Sequence, residues 1–153
     1  MFSCRKNCIS SSLEDYLEAI YHLISKNKVA RAKEIAINLN VANSSVSGAL
    51  HNLKEKGLIN YAPYEVITLT TEGEIYAKEI VKCHEILSDF FTNILLIDKK
   101  SAEKAACKME HAVTSDILEQ FIKFIEFIKQ SPCEEKEFVK AFSDYCTLNQ
   151  NIE

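Results

Sequence analysis

Three side chains that bind transition metals lie close together within residues 101–112. Cys107, Glu110 and His111 are spaced i, i+3 and i+4. A helix turns by about 100° per residue, so this spacing places a thiolate, a carboxylate and an imidazole in one sector of its surface. Such a sector supplies half of a coordination sphere. The alternative is a buried Cys beside an exposed Glu–His pair, and this segment taken alone slightly favours that alternative.

Further potential ligands lie on two other predicted helices. Asp15 and Glu18 are three residues apart, so they project from neighbouring turns on one side of the first helix. His84 lies in the middle of a long helix, beside Cys83. Each has an ordinary explanation when taken alone, since acidic residues in a first turn complement the helix dipole. Together with the Cys107 cluster, they favour a metal site assembled from several helices.

Residues 31–57 predict a helix-turn-helix. A short amphipathic helix over residues 32–39 is broken at residues 40–43, where Asn43 is expected to cap a second helix that Gly57 ends. The exposed face of the second helix carries small polar groups suited to phosphates and base edges. The candidate DNA contacts are Arg31, Ser44, Ser45, Ser47, Gly48 and His51.

Two short β-type runs follow this second, recognition helix. They cover residues 58–61 and 66–69 and flank a turn at residues 62–65, which predicts a hairpin, or wing. The order of helix, turn, small-polar helix, Gly and hairpin favours DNA binding. The alternative is a three-helix core with a hairpin that packs but binds nothing.

Composition and charge limit the class of protein. Of 153 residues 47% are apolar, with only three Gly and two Pro, which indicates a mostly helical globular protein. No apolar run is long enough to cross a bilayer and the N-terminus lacks a signal-peptide core, so the sequence predicts a cytoplasmic protein without membrane partners. The six cysteines form no CxxC pair, which favours reduced thiols.

The net charge of −4 is unevenly distributed. Residues 1–62 hold eight Lys and Arg against five Asp and Glu, a net charge of +3, whereas residues 63–153 hold ten against seventeen, a net charge of −7. The positive half contains the helix-turn-helix. The negative half needs another role, and bound divalent cations would reduce its charge.

The sequence divides into an N-terminal winged-helix domain at residues 11–71 and a helical metal-binding and dimerisation domain at residues 72–147. A mobile arm (1–10) and a tail (148–153) flank them, and a long linking helix covers about 72–93. Two helix starts are predicted as capping boxes, Ser12 with Asp15 and Thr71 with Glu74, and Pro132 is expected in the first turn of a last helix.

The second domain carries an apolar face too wide for a small monomer to cover. We expect this face to form a dimer interface; the alternative is intramolecular core, and we expect the face to serve as both. Its candidate residues are Phe90, Phe91, Ile94, Phe121, Phe124 and Ile125.

Residues 13–128 resemble the metal-dependent repressors of the diphtheria toxin repressor family, which includes manganese transport regulators. The resemblance rests on residues 14–21 (Glu-Asp-Tyr-Leu-Glu-Ala-Ile-Tyr), the helix-turn-helix and wing, residues 69–73, His84 and residues 107–111. It implies a winged-helix domain joined to a helical dimerisation domain, without the SH3-like domain of the iron-type members. It also implies a divalent metal as corepressor for genes of metal uptake.

The resemblance further implies that the metal ligands are Asp15, Glu18, His84, Cys107, Glu110 and His111. At the position of Asp15 the chain resembles the manganese-type members, because iron-type members carry Met there. At the position of Cys107 it resembles the iron-type members, because manganese-type members carry Glu there. Carboxylates suit Mn²⁺ and thiolate favours Fe²⁺, Co²⁺ or Zn²⁺, so we expect Mn²⁺ or Fe²⁺, with Co²⁺ or Zn²⁺ as alternatives. Gly48 departs from the family pattern, because a longer polar side chain can occupy that contact position.

The resulting hypothesis is a homodimeric, metal-activated transcriptional repressor that is not an enzyme. Metal would fix two recognition helices about 34 Å apart, one turn of B-DNA, on a palindromic operator. One alternative is a winged-helix redox sensor that acts through Cys83 or Cys107. The other is a small helical metalloenzyme using Cys107, Glu110 and His111, for which the sequence offers neither a phosphate loop nor a nucleophile elbow.

Overall fold

The computed structural model describes residues 9–62, 65–130 and 135–149. This part of the chain is mainly helical, with a two-stranded antiparallel sheet, which confirms the predicted fold class. Its elements are α1 (Ser11–Asn27), α2 (Ala32–Leu39), α3 (Asn43–Glu55), β1 (Ile59–Asn60), β2 (Thr68–Leu69), α4 (Thr71–Asp89), a π-helical turn (Phe90–Ile94), α5 (Lys99–Met109), α6 (Ser115–Gln130) and α7 (Glu135–Asn149). Among the described helices, none is long and apolar enough to cross a bilayer.

The chain divides into two compact units at a boundary within α4, one up to Val81 and one from Lys82 onward. In the first unit, α1, α2 and α3 pack around one apolar core. The helix-turn-helix stripe supplies much of that core, because Val46, Leu50 and Leu53 of α3 are fully buried. The predicted helix-turn-helix is therefore present, with its apolar face inward and its polar face outward.

The start of α1 differs from the prediction. Ser10, not Ser12, is the N-cap, and its hydroxyl accepts a hydrogen bond from the Leu13 amide at 3.4 Å. Asp15 therefore does not occupy the third helical position. Ile9 belongs to the core, which fixes the chain just before the helix. Of the neighbouring serines, Ser10 directly follows this fixed residue, so Ser10 becomes the cap. Within the expected mobile arm at residues 1–10, Ile9 packs in the core and Ser10 caps α1, while residues 1–8 lie outside the described part.

Two further helix caps are shifted by one residue. Ala42, not Asn43, precedes the first turn of α3 and makes no side-chain cap. At the start of α4, Thr70 takes the role predicted for Thr71, because its hydroxyl accepts from the Gly73 amide at 3.0 Å. The same hydroxyl donates to the Gly57 carbonyl at 2.6 Å, which fixes Thr70 rather than its neighbour at the cap.

The wing is present and is shorter than the two β-type runs. β1 and β2 are antiparallel, with Ile59 opposite Leu69 and Asn60 opposite Thr68. Ile67 also forms an isolated antiparallel bridge with Ala30, and the backbone groups of the two residues exchange hydrogen bonds of 2.8 and 3.2 Å. No sequence pattern predicts this bridge, which ties the wing to the start of α2. Residues 63–64 of the turn lie outside the described part.

Gly73 allows the first turn of α4 to approach the segment before β1. A Cβ atom added at Gly73 would overlap the Leu58 carbonyl oxygen. That carbonyl accepts the Thr70 amide at 3.1 Å, so the same oxygen holds the helix start and excludes a side chain. This close approach is a structural reason for Gly at position 73.

The second unit is built around Phe90, which lies in the π-helical turn. Its ring contacts those of Phe91, Phe121 and Phe124 edge-on, with centroid distances of 6.0, 5.2 and 6.1 Å. The predicted long helix therefore ends as α-helix at Asp89 and continues as a wider π turn. Such turns interrupt the regular side-chain spacing of a helix, and this one directs Phe90 and Phe91 into the unit.

The last helix, α7, lies in the second unit. Pro132, predicted in its first turn, and Cys133 lie outside the described residues, as do Cys4, Cys8 and residues 150–153. Within the expected tail, Leu148 and Asn149 continue α7.

Replacing Gly73 by Ala should destabilise the first unit by about 1–3 kcal/mol or more, because the added methyl group would overlap a backbone oxygen. Gly48→Ala is the matched control. Gly48 lies on α3 with no atom within 4 Å of an added Cβ, so alanine there should stabilise the helix by about 0.5–1 kcal/mol. Urea unfolding of both variants measures the difference, and equal stability of the two would contradict the close approach of Gly73 to Leu58.

Replacing Asp98 by Ala should lower the melting temperature of the second unit. Hydrogen bonds from the side chain and amide of Ser101 lower the pKa of Asp98 below its usual 3.8. A carboxylate with a depressed pKa stabilises the fold at higher pH and loses this effect as the pH falls through the folded-state value. The difference between wild type and Asp98→Ala should therefore be full at neutral pH and vanish in acid.

Asp98→Asn is the control, because Asn can cap a helix without a charge. Its effect in thermal melts should be smaller and nearly independent of pH. A deficit in Asp98→Ala that persists below the acid transition would show that the cap at α5 does not act through its carboxylate.

Candidate metal centre and nucleic-acid interface

His84 and Glu110 form a close pair of potential metal ligands in the second unit. His84 lies on α4 and Glu110 at the end of α5, and the His84 Nδ1 atom is 2.6 Å from the Glu110 Oε2 atom. The Glu110 side chain is fully buried, whereas the His84 ring is partly exposed. When Nδ1 carries the proton it donates to the carboxylate, and Nε2 then keeps its lone pair.

Glu110 and His111 lie just beyond α5, not inside a helix as predicted. The helix ends at Met109 with Glu110 as its C-cap, and the amides of Ala112 and Val113 both bond to the Met109 carbonyl. This tight turn carries the His111 Nε2 atom to 3.6 Å from the Glu110 Oε1 atom. Two imidazoles, of His84 and His111, therefore face one buried carboxylate.

The three side chains of the predicted cluster, Cys107, Glu110 and His111, differ in burial. Cys107 is exposed on α5, whereas Glu110 is buried and His111 is largely buried. Cys83 is fully buried, and its thiol lies 3.9 Å from the Glu110 carbonyl oxygen. Sequence reasoning assigned Cys83 no structural role, yet it packs directly against the segment that bears the candidate ligands.

Asp15 and Glu18 lie on α1 in the first unit and are both half-buried. The Glu18 Oε1 atom is 3.5 Å from the Nε2 atom of His22, one turn later on the exposed side of the helix. Their neighbour Glu14 is buried and accepts a 2.8 Å hydrogen bond from the Tyr76 hydroxyl. Sequence reasoning missed Glu14, although its position three residues before Leu17 places it on the apolar stripe.

The donor set of the second unit fits a divalent transition metal. Two ligands of one ion lie about 3 Å apart, because each metal–ligand bond is about 2.1 Å long. The imidazole of His84 and the carboxylate of Glu110 already lie near this spacing. A buried carboxylate with two neighbouring imidazoles offers the mixed oxygen and nitrogen ligands that such ions bind.

The candidate DNA contacts are exposed. Arg31 precedes α2, and the polar face of α3 is open to solvent at all its candidate positions, Ser44, Ser45, Ser47, Gly48 and His51. Two of them have partners on their own helix. The Ser47 hydroxyl donates to the Asn43 carbonyl at 3.1 Å, and the His51 Nε2 atom is 3.2 Å from the Glu55 Oε1 atom.

The candidate dimer residues differ in burial. Phe90, Phe91 and Ile94 are buried within the chain itself, as the intramolecular alternative expected. Phe121 and Ile125 are half-buried, and Phe124 is 45% exposed. Large apolar side chains also remain exposed on α6, notably Phe127 at 66%. The unit thus has both a core and a residual apolar surface.

A winged helix-turn-helix followed by a helical unit rich in metal-binding side chains defines a class, the metal-dependent DNA-binding regulators. Residues 9–67 match the family model of the iron dependent repressor N-terminal DNA binding domain. Residues 70–138 match the iron dependent repressor metal binding and dimerisation domain. The chain belongs to this family of metal-dependent transcriptional repressors, as the resemblance predicted.

Individual relatives agree with the family match. The chain is 40% identical over 122 residues to an uncharacterised HTH-type transcriptional regulator of Methanocaldococcus jannaschii, covering 79% of this chain and 98% of that protein. It is 30% identical to the HTH-type transcriptional regulator MntR of Lysinibacillus sphaericus, covering 79% and 86%. These proteins are regulators and not enzymes, which confirms the expected non-enzymatic class, and the matches give no support to the redox alternative.

Solved structures agree on the fold. The manganese regulator SloR matches with a TM-score of 0.67 and 27% identity over 79% of this chain. The chain spans only 56% of the length of that structure. Membership of the family therefore establishes DNA binding, binding of a divalent metal and dimerisation. It does not establish which residues of this chain are responsible.

Proposed function

We propose that a divalent metal acts as corepressor by binding Asp15, Glu18, His84, Cys107, Glu110 and His111. The observation that carries the proposal is the buried Glu110 carboxylate beside the His84 ring. Bound metal would supply positive charge and directional bonds to these donors. The family resemblance adds Asp15 and Glu18 as ligands. It also implies a boundary near residue 71 between a DNA-binding and a metal-binding domain, and the extents of the two family matches support that boundary.

The chain's own residues hold the centre ready for a cation. Burying a carboxylate costs several kcal/mol unless its oxygens are paired, and here the imidazole of His84 supplies a partner. A metal takes the place of protons on such ligands, so binding competes with the existing hydrogen bond. The switch needs a coupling of only about 1–3 kcal/mol between metal and DNA to be useful.

Mn²⁺ or Fe²⁺ is the proposed corepressor. SloR, one of the proteins that this chain is similar to, is described as a manganese regulator. The carboxylates of Asp15, Glu18 and Glu110 suit Mn²⁺, whereas the thiolate of Cys107 would favour Fe²⁺, Co²⁺ or Zn²⁺. Genes of metal homeostasis are the corresponding regulatory targets.

The operator is proposed to be palindromic double-stranded DNA. A homodimer has two copies of α3, and two-fold symmetry would place them on half-sites about 34 Å apart. Exposed hydroxyl groups of Ser44, Ser45 and Ser47 suit phosphates and base edges, and Arg31 would contact the backbone. On the same exposed face of α3, Gly48 offers only its backbone, and His51 lies about one turn further along the helix.

The dimer interface is proposed to use Phe121, Phe124 and Ile125 of α6, with Phe90, Phe91 and Ile94 packed behind them. Support comes from the exposed apolar area on α6, which a second copy would remove from water at about 25 cal/mol per Å².

The direct test is fluorescence anisotropy of labelled DNA from the protein's own promoter region. The protein is titrated anaerobically with reductant, first with chelator and then with Mn²⁺, Fe²⁺, Co²⁺ or Zn²⁺. Metal-dependent binding is the expected result, and binding that ignores metal would overturn the corepressor mechanism.

Replacing Glu110 by Gln should weaken Mn²⁺ binding at least tenfold and remove metal-stimulated DNA binding, because a buried anionic ligand becomes a neutral amide. Glu103→Gln, on the helix that Glu110 caps, is the matched control. Glu103 is exposed and lies 3.8 Å from Lys99, so its replacement should leave metal affinity unchanged. If the two variants bind Mn²⁺ equally well, Glu110 is not a ligand.

Replacing Cys107 by Ser should weaken Co²⁺ and Zn²⁺ binding more than Mn²⁺ binding, because a soft thiolate is exchanged for a hard hydroxyl group. Competition with a fluorescent chelator, metal by metal, measures the ranking. A uniform change across all the metals would argue against a coordinating role for this exposed thiol.

A further inference from the structure

We propose that Glu14 and Tyr76 form a positioning clamp that sets the orientation of the α1 ligands for metal. This inference deepens the proposed function and rests on its assignment of Asp15 and Glu18 as ligands. Neither Glu14 nor Tyr76 would itself bind the metal. Their role would be to fix the helix that presents the two carboxylates.

The clamp lies inside the core of the first unit. Glu14 is 4% exposed and Tyr76 is 7% exposed, and the Tyr76 hydroxyl donates to the Glu14 Oε1 atom at 2.8 Å. Glu14 and Glu110 are the two charged side chains that are buried in the described part of the chain. A carboxylate in an apolar core is costly unless it is hydrogen-bonded, so burial makes the position of this donor important.

The geometry of α1 explains how the clamp acts on the ligands. Glu14 is adjacent to Asp15 and one turn before Glu18, so all three move as one rigid helix. Apolar contacts alone allow a helix to slide or roll at modest cost, whereas a 2.8 Å hydrogen bond is lost when the helix moves by a fraction of its 5.4 Å pitch. The bond to Tyr76 of α4 therefore specifies one register of α1, and with it the directions of Asp15 and Glu18.

The test compares Tyr76→Phe, which removes only the donor hydroxyl, with wild-type protein. Mn²⁺ affinity is measured by chelator competition, and the Co²⁺ absorption spectrum reports the geometry of the bound ion. We expect Tyr76→Phe to lose about tenfold in affinity and to change the Co²⁺ spectrum. This is the low end of the roughly 10- to 100-fold loss for a direct partner of a ligand, because Tyr76 acts on Asp15 and Glu18 only through the helix that carries them. The unfolding stability of the metal-free protein is recorded for each variant.

Two controls separate positioning from general destabilisation. Tyr16→Phe makes the same change at another tyrosine that is 7% exposed in the same core, and it should leave affinity and spectrum unchanged. Leu50→Ala removes the apolar contacts of a fully buried side chain on α3 and lowers stability while it keeps the side chains of Glu14 and Tyr76. Below its unfolding transition it should bind metal as wild type does. An equal loss of affinity in Leu50→Ala and Tyr76→Phe would overturn the clamp.

Glu18→Gln distinguishes failure of the clamp from failure of the proposed site. If Glu18→Gln weakens metal binding while Tyr76→Phe matches wild type in affinity and spectrum, the positioning role is wrong and the ligand assignment stands. If neither variant changes metal binding, the assignment of Glu18 is wrong and the clamp fails with it. Weakened binding in both, with unchanged controls, supports both.

Discussion

The contact between His84 and the buried Glu110 carboxylate is the constraint on which the second unit depends. Glu110 is the C-cap of α5, where exposed carbonyl groups give the helix dipole its negative end. An anion there is unfavourable even in water, and full burial increases the cost. A cation or a hydrogen-bond donor must therefore stand beside the carboxylate, and the His84 ring does so at 2.6 Å. The same position that is costly for a lone anion is favourable for a bound metal.

Much of the fold could be predicted because the sequence patterns agree with one another. The apolar stripe of α3 and the hairpin after it appear as expected, since 3.6-residue and two-residue periodicities report directly which faces are buried. The errors lie at helix starts. Neighbouring serines or threonines have equal local preference for a cap, so the choice between Ser10 and Ser12, or Thr70 and Thr71, is made by tertiary contacts such as the bond from Thr70 to the Gly57 carbonyl.

The site was less predictable, because helical spacing was extended past the end of a helix. Cys107, Glu110 and His111 satisfy an i, i+3, i+4 pattern, yet α5 stops at Met109, and Cys107 is exposed whereas Glu110 is fully buried. Nothing local in the sequence marks that stop, since it contains neither Gly nor Pro. The contact between Tyr76 and Glu14 could not be predicted for another reason. The two residues are 62 positions apart in the sequence, and an acidic residue in a first turn is ordinarily explained by the helix dipole.

The two buried carboxylates have partners of different chemistry, and this difference suits different roles. A tyrosine hydroxyl donates one hydrogen bond and stays protonated at neutral pH, so the partner of Glu14 is suited to a permanent contact. An imidazole can give up a proton and bind a metal through the same ring, so the partner of Glu110 can exchange one interaction for another. A metal switch needs both kinds of partner. The ligands must be held in position before the ion binds, and they must also be able to give up a hydrogen bond when it does. On the proposed assignment of the ligands, Tyr76 would contribute rigidity and His84 would contribute the exchange.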